Sequence, residues 1–406
     1  MSRPFDVIVF GATGFTGRLV AEYLKASYGT GGELAWAMAG RKLDRLAAVR
    51  RSIGAGEDVP LIAADATDAA ALASLARQTR AIITTVGPYQ LHGAALVTAC
   101  AHEGTDYVDL CGEPAWMAQM IPRLDAPARA SGARIVFSCG FDSIPFDLGV
   151  VFLQDEAQRR FGMPLTRVHG RVRKMKGKPS GGTVASMLAS IEQVVRDPAA
   201  RRAMVDPFAL TPGFEGPRQP ESGSAFYDRL AKSWTAPFIM APINTKNVHR
   251  SNALLGHPWG RDFVYDERML AGDGPSGERR ARRMTSAIRM QNALLAFAPT
   301  RALLRRFALP KPGEGPDAKE RAAGGYELLF IGQAADDRTL RASVRGEGDP
   351  GYASTSRMIS ESALCLLNEV DRVQTGGGVW TPGAALGRKL ISRLQARAGL
   401  TFAIED

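Results

Sequence analysis

Cysteine is scarce here and poorly spaced for any covalent or metal framework. The chain has four in 406 residues, Cys100, Cys111, Cys139 and Cys365, with no C-x-x-C pair. Neither a disulfide scaffold nor a metal site is expected, and the setting reads as reduced and cytoplasmic. Long apolar runs are missing as well: none reaches the roughly 18 uninterrupted residues that a spanning helix needs. A strand-like run begins by Phe5, which leaves no room for a signal peptide. No internal repeat is present. Acidic residues are thin in one segment: from 268 to 321, 12 Lys/Arg stand against 5 Asp/Glu, which is +7 of the net +10. Such a patch attracts an acidic partner, whether nucleic acid, anionic membrane or acidic protein. Nucleic acid is the least expected of these, because the cations lack interleaved aromatics and no known binding module appears.

What is present reads as a globular chain, 45% hydrophobic and 23% charged, long enough for about two or three domains. In the first 150 residues, short apolar runs at 5–10, 34–39, 61–65, 81–87, 106–110 and 134–138 alternate with helical patterns. That alternation argues a parallel sheet. Six such strands before residue 140 fit a Rossmann-type doubly wound α/β fold.

Between the first strand and the first helix lies Gly11-Ala12-Thr13-Gly14-Phe15-Thr16-Gly17. Gly11 suits the tight turn, Gly14 lets backbone approach a pyrophosphate, and Gly17 lets helix and strand pack closely. The helix N-terminus then offers free N–H groups to the anion. At the end of the second strand a dinucleotide fold using NAD carries an acid for the ribose 2′-hydroxyl; here Arg41 and Lys42 follow Gly40. Two cations favour a 2′-phosphate, and so NADP(H), unless they merely cap the next helix on its solvent face. Asp65, ending the third strand, is expected near the adenine. None of the eight tyrosines has Lys four residues later, so the Tyr-x-x-x-Lys pair of short-chain dehydrogenases is absent.

Open α/β sheets bind ligands past the carboxyl ends of their strands. That places Gly87 and Pro88 beneath the nicotinamide, with Tyr89, His92, Glu113 and Asp142 as candidates for moving a proton. Each has a plainer reading. Asp142 precedes a helix and can simply cap it; His92 sits at a helix start in a structural position; Tyr89 can stack without transferring a proton. Cys111 and Cys139 are expected as small apolar core residues. Thr183, at a glycine-flanked helix start, can meet an anionic group or only cap.

The later chain gives a helix at 146–161, a strand at 167–175, a helix at 181–196, and a Pro/Gly-dense loop at 205–225. "YELLFIGQA" and "TLRASVRGE" read as a hairpin joined by Ala335-Asp336-Asp337-Arg338, followed by helices at 355–370 and 386–397. "TSAIRMQNALLAFAPTRALLRRFALPKP" mixes Leu, Phe and Ala with cations and no acid. It reads as a basic amphipathic pair of helices for a membrane surface, an acyl-chain mouth or an acidic acyl-carrier domain, or as an ordinary helix packed by one face.

"AGR", "TTVGPYQLHG", "YVDLCGEPAWM", "SCGFDSIPFDLG", "PSGGT" and the tail "GGVWTPGAALGRKLISRLQARAGLTF" together resemble the saccharopine dehydrogenase-like oxidoreductases, in the branch with the mycobacterial trans-acting enoyl reductases. The resemblance runs from residue 8 to 402 and is loose over 205–319. It implies an NADP-binding Rossmann domain (1–150), an inserted α+β domain for substrate or dimerisation (151–355), and C-terminal helices returning to the first domain (356–406). It singles out Tyr89 and Asp142 as active-site residues, from Pro88-Tyr89-Gln90-Leu91-His92 and Gly140-Phe141-Asp142. The carboxylate-gripping arginines of an amino-acid substrate find no match, which sets saccharopine itself aside. The implied activity is NADP-dependent reduction of an activated C=C bond in an acyl or polyketide-like lipid, free or carrier-bound. The alternatives are an imine or secondary-amine dehydrogenase, and a non-catalytic NADP-binding protein held at lipid surfaces through 286–310. A homodimer fits the same outline.

Overall fold

The computed structural model describes residues 3–178, 180–221, 223–301 and 315–405. The first layer runs β1 (Phe5–Phe10), α1 (Phe15–Tyr28), β2 (Trp36–Gly40), α2 (Leu43–Ser52), β3 (Leu61–Ala63), α3 (Ala69–Arg77), β4 (Thr79–Thr84), α4 (Tyr89–His92), α5 (Ala94–Glu103), β5 (Asp106–Val108), α6 (Pro114–Ser131), β6 (Arg134–Val136) and α7 (Ile144–Phe161). Val7, Ile8 and Val9 of β1 are fully buried because helices cover both faces of the sheet. The strands pair in parallel in the order β3-β2-β1-β4-β5-β6. The order reverses between β1 and β4, so the ligand crevice opens at their carboxyl ends.

The second layer follows with β7 (Leu165–Lys176), α8 (Gly181–Arg196), α9 (Pro198–Val205), β8 (Phe226–Asp228), β9 (Ser233–Pro237), α10 (Ala241–Leu254), β10 (Val264–Gly272), α11 (Gly274–Ala296), α12 (Ala318–Ala322), β11 (Gly325–Ala334) and β12 (Thr339–Glu347). The tail adds a π-turn (Pro350–Ser354), α13 (Thr355–Asn368), β13 (Gly378–Trp380), α14 (Pro382–Ala385), α15 (Gly387–Arg397) and β14 (Leu400–Glu405). The second sheet is ordered β14-β12-β11-β7-β10-β9-β8 and is antiparallel except between β7 and β10.

Helix α7 joins the two layers. A Cβ on Gly149 would stand 2.4 Å from the Phe330 ring, so α7 presses directly on β11 of the second sheet. The border drawn at residue 150 therefore falls inside a continuous helix. One apolar core holds Val7 and Val9 of the first sheet together with Phe146, Phe330 and Val344, which fixes the two walls of the crevice to each other.

The tail packs back on the first layer, and it also supplies strands. Glu361 of α13 is fully buried and accepts the hydroxyls of Tyr23 and Tyr28 at 2.6 and 2.7 Å. Strand β13 adds to β6 in parallel. Strand β14 joins the second sheet beside β12, where only helices were expected. Gly399, at φ 69°, stops α15, and the alternating burial of Leu400 and Phe402 follows.

Helix α11 lays Gly277, Ala281 and Thr285 inward and leaves Met290, Leu294 and Phe297 exposed. The second basic helix expected after Pro299 falls largely on 302–314, outside the described residues. Among the described residues no helix is long and apolar enough to cross a membrane.

Candidate active site

The glycine loop is built for close approach. Gly11 leaves β1 at φ 89°, and a Cβ there would stand 2.6 Å from Val86 Cγ2. A Cβ on Gly17 would stand 2.2 Å from the Gly11 carbonyl oxygen, and one on Gly14 at 3.2 Å from the same atom. Gly14 is the N-cap of α1, and no side chain caps its first turn. The loop thus presents backbone N–H groups and a helix dipole end with side-chain bulk removed, which suits a pyrophosphate.

Arg41 and Lys42 are exposed at the end of β2. Lys42 occupies the N-cap position of α2 without a side-chain cap bond, so capping does not account for these cations. Asp65 accepts the Thr67 amide at 2.9 Å and its hydroxyl at 2.8 Å. These bonds, with Arg41 and His92 adding smaller attractions, hold its carboxyl below the usual range. His92 is exposed at the end of α4, close to Asp65. It is not among the residues that line the cavity past β5 and β6.

At the end of β4 the Gly87–Pro88 peptide is cis. The buried Glu113 carboxylate accepts the amides of Tyr89 and Gln90, each at 2.9 Å. It secures the first turn of α4 and so fixes the Gly87-Pro88 turn. Burial raises the Glu113 carboxyl and these bonds partly oppose that. Tyr89 is 4% exposed. Its hydroxyl donates to the Thr84 carbonyl at 3.3 Å and accepts the Leu110 amide at 3.0 Å. Burial pushes that phenol well up. A group spent on joining the ends of β4 and β5 is not presented to substrate, which corrects the proton-donor role expected of Tyr89.

Beyond β5 and β6 lies a cavity of ≈ 80 Å³. Leu110, Cys111 and the turn from Ser138 to Ser143 supply one part of its lining, and Thr16, Thr183 and Tyr352, from other elements, supply another. Its volume accommodates the reacting end of a molecule and not a whole ligand, whose pockets run to roughly 300–1,000 Å³. Asp109 braces the first part: its Oδ1 accepts the amides of Cys111 and Ser138 at 3.0 and 2.9 Å, and its Oδ2 the Tyr107 hydroxyl at 2.9 Å. Burial pushes the Asp109 carboxyl up to about 7 against those bonds. Cys111 and Cys139 are buried thiols, driven upward by the same cause, and fit the core reading.

Asp142 lines the cavity and remains partly exposed to it. The N-cap of α7 is Ser143, with no side-chain cap bond, so Asp142 is not the cap. No protein donor among the described residues bonds its carboxylate, and burial alone pushes its pKa up to about 6. An uncompensated carboxyl at that value can give or take a proton near neutrality.

Tyr352 lines the same cavity, and no sequence motif singles it out. It sits in the π-turn between Gly348 and α13, a one-turn widening with no apolar period to announce it. Its hydroxyl takes the Ser180 amide and lies 2.9 Å from Thr183 Oγ1. Ser180 caps α8, leaving the Thr183 side chain to the cavity. Thr355 Oγ1 accepts the Phe141 amide at 3.0 Å and donates to the Pro350 carbonyl at 2.8 Å, tying the two segments together.

Residues 7–136 match the family model described as the saccharopine dehydrogenase NADP-binding domain, which accords with the glycine loop and with Arg41. Over its whole length the chain is similar to a Mycobacterium tuberculosis protein provisionally named a trans-acting enoyl reductase, at 40% identity over 98% of this chain and 97% of that protein. It is 37% identical to the trans-acting enoyl reductase of Mycobacterium ulcerans, over 97% of this chain and 96% of that one. Among solved structures, apo saccharopine dehydrogenase (L-Glu forming) from Saccharomyces cerevisiae shares the fold, with a TM-score of 0.53 at 14% identity, covering 99% of this chain and 100% of the other.

Proposed function

The chain belongs to the saccharopine dehydrogenase-like oxidoreductases, in the branch of the trans-acting enoyl reductases, and from that premise we propose that it reduces the activated C=C bond of an acyl or polyketide-like thioester with NADPH. Asp142 carries this reading: a cavity carboxyl with no bonding partner among the described residues, poised close to neutrality by burial. The residues present fit the dinucleotide. Gly11, Gly14 and Gly17 leave the room a pyrophosphate needs, and Arg41 stands where a 2′-phosphate would lie. Bound NADPH supplies a hydride to the β-carbon.

The chain's own groups then do the following. Glu113 holds the Gly87-Pro88 turn as a fixed floor. Asp142, protonated, gives its proton to the α-carbon and is reprotonated from solvent. Leu110, Phe141 and Cys111 keep the reacting atoms among apolar surface. Among the described residues the cavity lining holds no Lys or Arg, which favours a neutral thioester over the amino-acid adducts of imine chemistry. The acyl chain would reach the cavity free or on a carrier.

The test is NADPH oxidation with α,β-unsaturated thioesters of several chain lengths, in the wild type and in Asp142→Asn. Turnover that falls in the variant supports the reading. Imine reduction without thioester turnover would move the chemistry to the alternative class, and NADPH binding without any turnover would leave a non-catalytic role.

A further inference from the structure

Resting on that reading, we infer that Tyr352 is a catalytic residue: its hydroxyl donates a hydrogen bond to the substrate's carbonyl oxygen and stabilises the enolate formed there. The argument begins with counting. A phenol has one proton and two acceptor lone pairs. The Ser180 amide must donate to the Tyr352 oxygen, since an N–H has no other role. Thr183 Oγ1 lies 2.9 Å from the same oxygen. Either hydroxyl can donate in that pair; we take Thr183 as the donor, which leaves the phenolic proton to the cavity that Tyr352 lines. Accepting two bonds also polarises the O–H and strengthens it as a donor.

The ring is held for this task. It packs edge-on against Phe15 of the phosphate loop, centroids 5.1 Å apart at 86°. Asp349 accepts the amides of Tyr352 and Ala353 at 3.1 and 3.0 Å. Through Thr355 the turn is joined to the loop bearing Asp142, so the two polar groups line one cavity from connected segments. Burial raises the phenol, with the Ser180 and Thr183 bonds partly opposing, so Tyr352 stays a proton-bearing donor at working pH.

The electrons balance as follows. Hydride from NADPH forms the new C–H bond at the β-carbon. The π pair of the C=C bond shifts to make an enolate, its charge on the thioester oxygen under the Tyr352 hydroxyl. The enolate then collapses, taking the Asp142 proton at the α-carbon. Tyr352 lends a hydrogen bond and loses no proton. Asp142 serves the second stage and Tyr352 the first.

The experiment uses two probes, S-crotonyl-N-acetylcysteamine for turnover and its saturated S-butyryl counterpart for binding to the NADP+ form. In Tyr352→Phe, kcat should fall about 100-fold, as for loss of one oxyanion donor, with KM and NADPH affinity little changed. Thr183→Val should do the same more weakly. The deciding readout is the infrared carbonyl stretch of the bound S-butyryl thioester, shifted to lower frequency in the wild type and restored in Tyr352→Phe. A shifted, Tyr352-dependent stretch without crotonyl turnover keeps the bond from Tyr352 to the carbonyl and removes the enoyl-reductase reading together with the enolate role. A stretch that is the same in both proteins overturns the assignment, whatever happens to kcat.

Discussion

The Leu110 amide donates to the Tyr89 hydroxyl at 3.0 Å, at the half-buried edge of the cavity. Removing that oxygen takes away one half-buried hydrogen bond, a loss of about 0.5–1.5 kcal/mol. Tyr89→Phe should therefore lower unfolding stability in urea by that amount, while kcat changes far less than in Asp142→Asn. Equal losses of kcat in the two variants would return Tyr89 to the chemistry.

Arg41 predicts coenzyme choice. A charge-assisted bond to a phosphate contributes about 1.5–3 kcal/mol, roughly a 10- to 100-fold change in affinity. Arg41→Ala should weaken NADPH binding by that factor and leave NADH nearly unaffected, as read by fluorescence titration. Since Arg41 is exposed, the difference between variant and wild type should shrink as salt rises. An Arg41→Ala protein that still prefers NADPH would assign the 2′-phosphate to other cations.

The loop and the strands around it were legible because their constraints are local. Gly11, Gly14 and Gly17 lie within one turn of chain, and the period of the apolar runs reports burial on both faces. Tyr352 was not legible: its meaning depends on Ser180, Thr183 and Phe15, all more than 150 residues away and adjacent only after folding. Tyr89 misled for a related reason, since position after a strand says where a side chain starts and not which partner its hydroxyl finds. Strand β13 is three residues long, too short for any period to show, whereas β14 was available in the alternation of Leu400, Phe402 and Ile404 after Gly399.

The glycine loop predicts a graded response to added methyl groups. A Cβ at position 17 would meet backbone, the Gly11 carbonyl oxygen at 2.2 Å, whereas at position 14 the same oxygen is 3.2 Å away. Backbone cannot swing aside as a side chain does, so Gly17→Ala must displace α1 from β1. It should lower Tm by several degrees and abolish NADPH binding, while Gly14→Ala keeps most of its stability and loses affinity in part. Equal behaviour of the two would mean that α1 adjusts freely on the sheet.

Asp142 predicts a pH profile with a definite sign. Burial pushes its pKa up to about 6, above the roughly 3.9 of an unfolded aspartate. The folded protein therefore holds the proton over the interval between those values, and the unfolded chain releases it. The Asp142 contribution to stability is fully present below the unfolded value and is lost as pH rises toward 6. The proton-donating form follows the same direction, so kcat/KM for thioester reduction should decline as pH climbs past about 6. In Asp142→Asn both trends should flatten: the rate is low and insensitive to pH over this range, and stability at pH 7 rises relative to wild type because no buried charge remains. Tyr352→Phe should keep the sloping profile at a lower level, since its proton is never transferred. If the slope survives in Asp142→Asn, the group that titrates near pH 6 is another, and the proton reaching the α-carbon comes from elsewhere in the cavity.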